Sequence, residues 1–188
     1  EFRRVLFRSD HYALDEKWEG YLRPYVKKIM VIDDLADRLH DCDLLLDQNF
    51  YENLESRYDD LVLPGCNKLL GPKYALLRPE FREARKNLRK RDRCVKRIMI
   101  FFGGSDQTNE TSKTLQAIRM LNRQDIAVDV VIGALNPHRK VIEQMASDMP
   151  GCNCHFNVED MAVLISKADL AVGAGGITVW ERCTLALP

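Results

Sequence analysis

From Ile98 onward, short apolar runs alternate with segments of helical period, and this alternation constrains the fold more than any other feature. Ile98-Met99-Ile100-Phe101-Phe102 is short, continuous and apolar, as a buried strand is. Leu115, Ile118 and Leu121 then recur at helical spacing, with Asn109 placed to cap that helix. Residues 128–132 form the next strand. Residues 138–149 form the next helix, with Val141, Ile142 and Met145 on one face. Residues 154–156 suit a short strand, Met161, Leu164, Ile165 and Ala168 mark a helix, and Leu170-Ala171-Val172 reads as a strand. Gly173-Ala174-Gly175-Gly176 then turns into a helix opening near Thr178. Repeated strand–helix alternation predicts a parallel sheet with helices on both faces.

Upstream, Ile29-Met30-Val31-Ile32 ends in Asp33-Asp34, and Leu44-Leu45-Leu46 ends in Asp47-Gln48-Asn49. Both runs have the two-sided apolarity of buried parallel strands. Their polar ends fit either a ligand crevice at the carboxyl edge of a sheet or ordinary turns, which favour Asp and Asn. A turn at Leu69-Leu70-Gly71-Pro72 follows, then residues 74–81, then a basic segment. Between Arg82 and Arg97, nine Lys or Arg face only Glu83 and Asp92. With so few apolar residues the segment reads as a helix that packs little, a solvated face leading into a linker. A domain boundary is expected near residues 88–96. An anionic-ligand or nucleic-acid patch is the other reading. No aromatic is interleaved there, which weakens the single-strand version.

The remaining composition excludes several classes. With 46% hydrophobic and 30% charged residues over 188 positions, the chain is neither collagen-like, disordered nor a disulfide scaffold. Lys and Arg balance Asp and Glu at 28 each, without the basic excess of a dedicated nucleic-acid binder. The six cysteines include no C-x-x-C pair, and Cys152-Asn153-Cys154 is too tight to indicate a metal. They read as reduced core thiols of a cytoplasmic protein. No apolar run reaches the ~18 residues of a membrane span. Residues 1–9 lack the apolar stretch of a signal peptide, and Glu1-Phe2 is what an in-frame EcoRI site encodes. Residues 1–9 are therefore hypothesised to be a cloning or sequencing scar outside the fold. An uninterrupted genomic frame encoding them refutes this.

Two glycine-rich loops carry the chemical signal. Gly103-Gly104-Ser105-Asp106 and Gly175-Gly176-Ile177-Thr178 each join an apolar strand to a helix. Glycine lets backbone approach a ligand closely, and a helix N-terminus suits an anion such as a pyrophosphate. Either loop alone equally fits a tight turn. Neither is G-x-G-x-x-G, and neither carries the P-loop lysine, so nicotinamide and ATP sites are not supported. Glu181, three residues after Thr178, fits a capping box or a carboxylate accepting from ribose hydroxyls. Trp180 suits a core position. His11, His40, His138 and His155 form no triad with Ser, Cys or Asp, and each suits a structural or surface role.

Five segments together resemble a known family. They are Ile32-Asp33-Asp34-Leu35-Ala36-Asp37-Arg38, the run from Cys42 to Asn49, and the run from Leu70 to Phe81. The others are Phe102-Gly103-Gly104-Ser105-Asp106 with Asn109, and the run from Gly173 to Arg182. They are similar to the nucleotide-sugar hydrolases of pseudaminic acid biosynthesis, the UDP-2,4-diacetamido-2,4,6-trideoxy-β-L-altropyranose hydrolases. The resemblance spans about residues 10–188 and implies a segment truncated at both ends.

The resemblance implies an α/β fold of glycosyltransferase-B type, two Rossmann-like domains with parallel sheets, here incomplete. On that reading residues 10–92 are the end of the N-terminal domain plus the basic linker, and 93–188 are the UDP-binding domain. It implies release of UDP by water attack at the anomeric carbon, with inversion, no metal and no cofactor. The partner implied is the UDP-sugar, with neither nucleic acid nor membrane. Gly104, Ser105, Asn109, Gly176, Ile177 and Glu181 would contact substrate, and Tyr12 would lie near the sugar. The family's general base is a histidine in a Gly-x-Gly-His loop, and this sequence contains no such loop. His11 and His40 do not match it, so the catalytic residue is unassigned. Loss of a base worth ~10²–10⁴-fold predicts poor turnover. The alternatives are a UDP-sugar glycosyltransferase of the peptidoglycan N-acetylglucosaminyltransferase type and a non-catalytic nucleotide-binding fragment.

Overall fold

The computed structural model describes residues 4–92 and 94–188. The chain forms two compact units, the first ending at Leu76 and the second running from Leu77 to Pro188.

The first unit holds one sheet. Strand β1 (Arg4–Ser9) leads to helix α1 (Glu16–Leu22), and a 3-10 turn (Arg23–Tyr25) leads into β2 (Val26–Ile32). Strands β3 (Leu44–Asp47) and β4 (Asn67–Leu70) complete a parallel sheet in the order β1-β2-β3-β4. Asp15 starts α1 by accepting from the Lys17 and Trp18 amides, which satisfies two orphan donors. Ile29, Val31, Leu45 and the ring of Tyr58 form the core.

Residues 4–9 are part of this fold, which corrects their exclusion. They pair with β2 from Arg4↔Val26 to Ser9↔Val31, Ser9 is buried, and the Phe7 ring lies 5.4 Å from that of Trp18. Residues 1–3 lie outside the described residues.

The second unit follows the alternation of the sequence. Helix α2 (Pro79–Lys86) precedes β5 (Arg97–Phe101), α3 (Glu110–Met120), β6 (Ala127–Ile132) and α4 (Arg139–Ser147). Strand β7 (Cys152–Phe156), α5 (Met161–Lys167), β8 (Leu170–Gly173) and α6 (Ile177–Thr184) follow. The sheet is parallel in the order β7-β6-β5-β8. Strand side chains alternate between two cores. Ile98, Ile100, Val128 and Val130 meet Leu115, Ile118 and Ile142 of α3 and α4. Met99 and Val131 meet Phe81, Met161, Ile165 and Leu185 on the other face.

The unit boundary at Leu76/Leu77 lies upstream of the expected 88–96; the basic segment is largely exposed, as expected, but three of its arginines are tied to the second unit. Phe81 is fully buried in the second unit's core. Arg91 donates to the carbonyls of Ile165, Ala168, Leu185 and Ala186. Arg89 donates to those of Ser166, Lys167 and Ala168, and Arg85 to that of Thr184. These are the carbonyls left unpaired where α5 and α6 end, and cations suit the negative helix terminus. Three of the nine cations, Arg85, Arg89 and Arg91, thus cap helices distant in sequence. Residue 93 lies outside the described residues. Among the described residues, no helix is long and apolar enough to cross a membrane.

Candidate functional site

The site follows from strand order. After β5 the chain moves to β6 and β7 on one side, then returns to place β8 on the other side of β5. At such a reversal the connections leave adjacent strand ends in opposite directions and open a crevice at the carboxyl edge. The two loops flanking that point are the two glycine-rich loops, since β5 ends at Phe101 and β8 at Gly173, its register partner.

In the loop after β5, Gly103 has φ +83°, a conformation that favours glycine. Asp106 closes the loop. Its two carboxylate oxygens accept from the amides of Glu110 and Thr111 at 2.8 and 3.0 Å. Asn109 occupies the cap position in a left-handed conformation (φ 57°), but its side chain makes no cap bond. The expected cap therefore passes to Asp106, which reaches the first-turn amides from three residues back. The Asn109 Oδ1 is buried without a hydrogen-bond partner. Replacing Asp106 with alanine is expected to cost about 1–2 kcal/mol, the worth of a cap, and to loosen the 103–109 loop. Chemical denaturation and amide exchange at residues 110–111 measure both.

A third loop, after β6, braces the first. The Leu135 amide donates to the Gly104 carbonyl at 3.0 Å, and His138 Nε2 lies 3.2 Å from the Gln107 carbonyl oxygen. Gly133 sits so close that a Cβ there would meet the Gly103 and Gly104 carbonyl oxygens at 2.4 and 2.3 Å. Nothing in the hydrophobic pattern around Gly133 signals this contact.

The loop after β8 is equally close-packed on one side and open on the other. A Cβ on Gly173 would meet the Phe101 carbonyl oxygen at 2.2 Å, whereas Gly175 has open space in front of it. Gly176 (φ +96°) is the N-cap of α6. Arg182 holds the loop by donating to the Ala174 carbonyl at 3.2 Å. Gly104, Gly175, Gly176 and Ile177 are exposed, Ser105 and Asn109 are half-buried, and Trp180 is half-buried.

Glu181 is buried and forms no capping box, because the helix starts at Ile177 and Thr178 lies inside it. Its carboxylate faces Arg78 at 3.5 Å. Burial raises its pKa, and the Arg78 charge works in the opposite direction. Arg78 was not singled out in the sequence; its only signal is the Arg78-Pro79 step that opens α2.

The carboxyl edge of the first unit's sheet differs. Asp33 and Asp47 are turned inward and buried. The Tyr58 hydroxyl lies 3.1 Å from Asp33 Oδ2 and 3.0 Å from Asp47 Oδ2. Arg38 pairs with Asp33 at 2.8 Å and Arg57 with Asp47 at 3.3 Å. Burial between two carboxylates drives the Tyr58 phenol far up. These aspartates serve the fold, as the turn reading expects. Tyr12 is exposed after β1, and the Asp34 carboxylate raises its phenol above the ordinary range. The structure thus places Gly104, Ser105 and Asn109 in the loop after β5 and Gly176 and Ile177 where the loop after β8 enters α6, while Glu181 lies buried inside α6 and Tyr12 belongs to the other unit.

The architecture is α/β and glycosyltransferase-B-like, with two Rossmann-like units each built on a parallel sheet. It is similar to the crystal structure of Acinetobacter baumannii MurG, with a TM-score of 0.53 at 15% identity over 97% of this chain and 50% of that one. No family model matches the chain. It is 30% identical to the spore coat polysaccharide biosynthesis protein SpsG of Bacillus subtilis over 63% of this chain and 35% of the relative. It is 29% identical to the UDP-2,4-diacetamido-2,4,6-trideoxy-beta-L-altropyranose hydrolase of Campylobacter jejuni over 94% of this chain and 61% of the relative. An uncharacterized protein of Methanocaldococcus jannaschii is 28% identical over 95% of this chain and 38% of its own length. The chain thus spans less than two thirds of the curated relatives it matches.

Proposed function

We propose that this chain carries the UDP-sugar-binding part of an enzyme of sugar biosynthesis that hydrolyses a UDP-linked 2,4-diacetamido-2,4,6-trideoxy sugar. One observation carries the reading: two glycine-opened loops lie side by side at the β5/β8 reversal, and each feeds a helix N-terminus. In this reading the diphosphate lies across Gly104, Ser105, Gly176 and Ile177, against the amino end of α6, while Asp106 holds the first amides of α3. Hydrolysis breaks the bond between the anomeric carbon and a diphosphate oxygen while water attacks from the opposite face. Negative charge grows on the departing diphosphate, and the oriented amides at the amino end of α6, which no side chain caps, stabilise it. The orphaned Asn109 Oδ1 suits a donor of the nucleoside, such as a ribose hydroxyl or the uracil N–H. The name of the Bacillus relative supports a role in polysaccharide biosynthesis, and that of the Campylobacter relative supports hydrolysis of a UDP-linked sugar. Free sugar formed without an acceptor alcohol distinguishes hydrolysis from transfer.

Gly104→Ala tests the cradle. A Cβ at Gly104 meets nothing within 4 Å, and its φ is not in the left-handed region. If the glycine only makes a turn, the substitution is silent. If a diphosphate sits against it, UDP affinity falls by roughly tenfold or more, about 1.4 kcal/mol, with Tm nearly unchanged. Calorimetry with UDP gives the affinity. Unchanged affinity, or UDP that leaves the amide signals of residues 103–109 and 175–181 in place, overturns the proposal.

A further inference from the structure

We propose that Cys42 and Cys66 form a reversible dithiol–disulfide pair, a modification site on the first unit open to small disulfides such as oxidised glutathione. Their sulfurs lie 3.5 Å apart although 24 positions separate them in sequence. The backbone fixes this approach. Cys42 stands two residues before β3 and Cys66 one residue before β4. Leu44 pairs with Asn67, and the Asn67 amide donates to the Asp43 carbonyl at 3.0 Å. Extending that register sets Cys66 beside Asp43 and leaves Cys42 one residue earlier; about 4.8 Å across and about 3.3 Å along the strands give roughly 5.8 Å, inside the ~4.4–6.8 Å between α-carbons that a disulfide spans.

The two thiols have unequal roles. Cys42 is buried in the core beside Ile29 and Leu45, whereas Cys66 is half-buried and reachable from solvent. With the Cys42 S–H donating to it, the Cys66 thiol pKa is lowered, the Lys68 charge adding to this while burial and the Asp43 charge oppose it. Burial and the same contact hold the Cys42 thiol up. Cys66 is therefore the attacking sulfur. Its thiolate attacks one sulfur of the small disulfide, forms a mixed disulfide and expels one small thiolate. Cys42 then loses its proton, attacks the Cys66 sulfur and expels the second small thiolate. The protein's two thiols are oxidised by two electrons, and the small disulfide is reduced to two thiols. The product closes the loop that carries Asp47, Arg57 and Tyr58.

The test treats the folded chain with oxidised glutathione, blocks free thiols and maps peptides without reduction. A cross-link joining Cys42 to Cys66 is expected ahead of any other pair, lost on adding dithiothreitol. Closing a loop of this length is expected to raise the first unit's Tm on the order of 5–10 °C. In Cys42→Ser, Cys66 is expected to stop at the glutathione adduct, whereas in Cys66→Ser the buried Cys42 is expected to stay unmodified, both variants keeping a cooperative thermal transition; an equally fast adduct on Cys42 would overturn the assigned order. Glutathione remaining on Cys66 in the unsubstituted chain, cross-links favouring Cys94 or Cys183, or a cross-link that forms only in urea would each overturn the pair.

Discussion

Phe81→Ala is expected to destabilise the second unit by about 4 kcal/mol, the cost of emptying a fully buried phenylalanine site. Phe81 is buried among Met99, Val131, Met161, Ile165 and Leu185, so its ring ties α2 to the sheet face that also carries α5 and α6. The chain offers a reporter for each unit, because its two tryptophans are Trp18 and Trp180. With Trp18→Phe and Trp180→Phe backgrounds, urea unfolding followed by fluorescence reads the units separately. The Trp180 transition is expected to move to lower urea and the Trp18 transition to stay. Equal shifts would place residues 77–86 with the first unit and overturn the boundary at Leu77. UDP affinity is expected to fall with the second unit's stability, since the loops at 103–109 and 175–181 rest on this core.

The same residues show how much was legible beforehand. The strands and helices of the second unit were readable because the strands are short continuous apolar runs, as strands buried on both faces are, and the apolar residues of the helices recur with a period near 3.6. The position of both glycine loops at strand ends followed from that reading. Their adjacency did not, because it depends on β8 returning to the far side of β5. Strand order is set by packing among all the elements, and no local pattern encodes it. The burial of Phe81 left no sequence signal because one aromatic ahead of many Lys and Arg has a weak period, yet one aromatic in the right place is enough to seat a short helix. Arg89 and Arg91 were read as solvated because a positive run is usually exposed. Their partners are carbonyls more than 70 positions away, and backbone carbonyls leave no mark on the sequence. Asp106 took the cap from Asn109 because a left-handed turn placed it nearer the first amides. Residues 4–9 were set aside for lack of pattern, and an edge strand paired on one side needs little of it.

The second large effect concerns a pair with no sequence signal at all. Glu19 lies in the first turn of α1, where an acidic residue would ordinarily face water and favour the positive helix end. Here it is fully buried. Its Oε1 meets His40 Nδ1 at 2.8 Å, and its Oε2 accepts from the Asp41 amide. His40 is itself 2% exposed, and its Nε2 has no hydrogen-bond partner. Together they pin α1 to the segment entering β3, and Arg23, at the end of α1, adds bonds to Asp41 and Asp43. Replacing His40 with leucine keeps the volume but strands a buried carboxylate oxygen. The expected cost is about 3 kcal/mol or more, read through Trp18 with the Trp180 transition unmoved. Removing both polar partners is expected to cost less than the sum of the single changes, because the unpaired group disappears with its partner. If the pair were merely two polar side chains that happen to be close, Glu19→Leu and His40→Leu would add independently. A double-mutant cycle in urea decides between the two, and additivity would show that the Glu19–His40 contact does not hold α1.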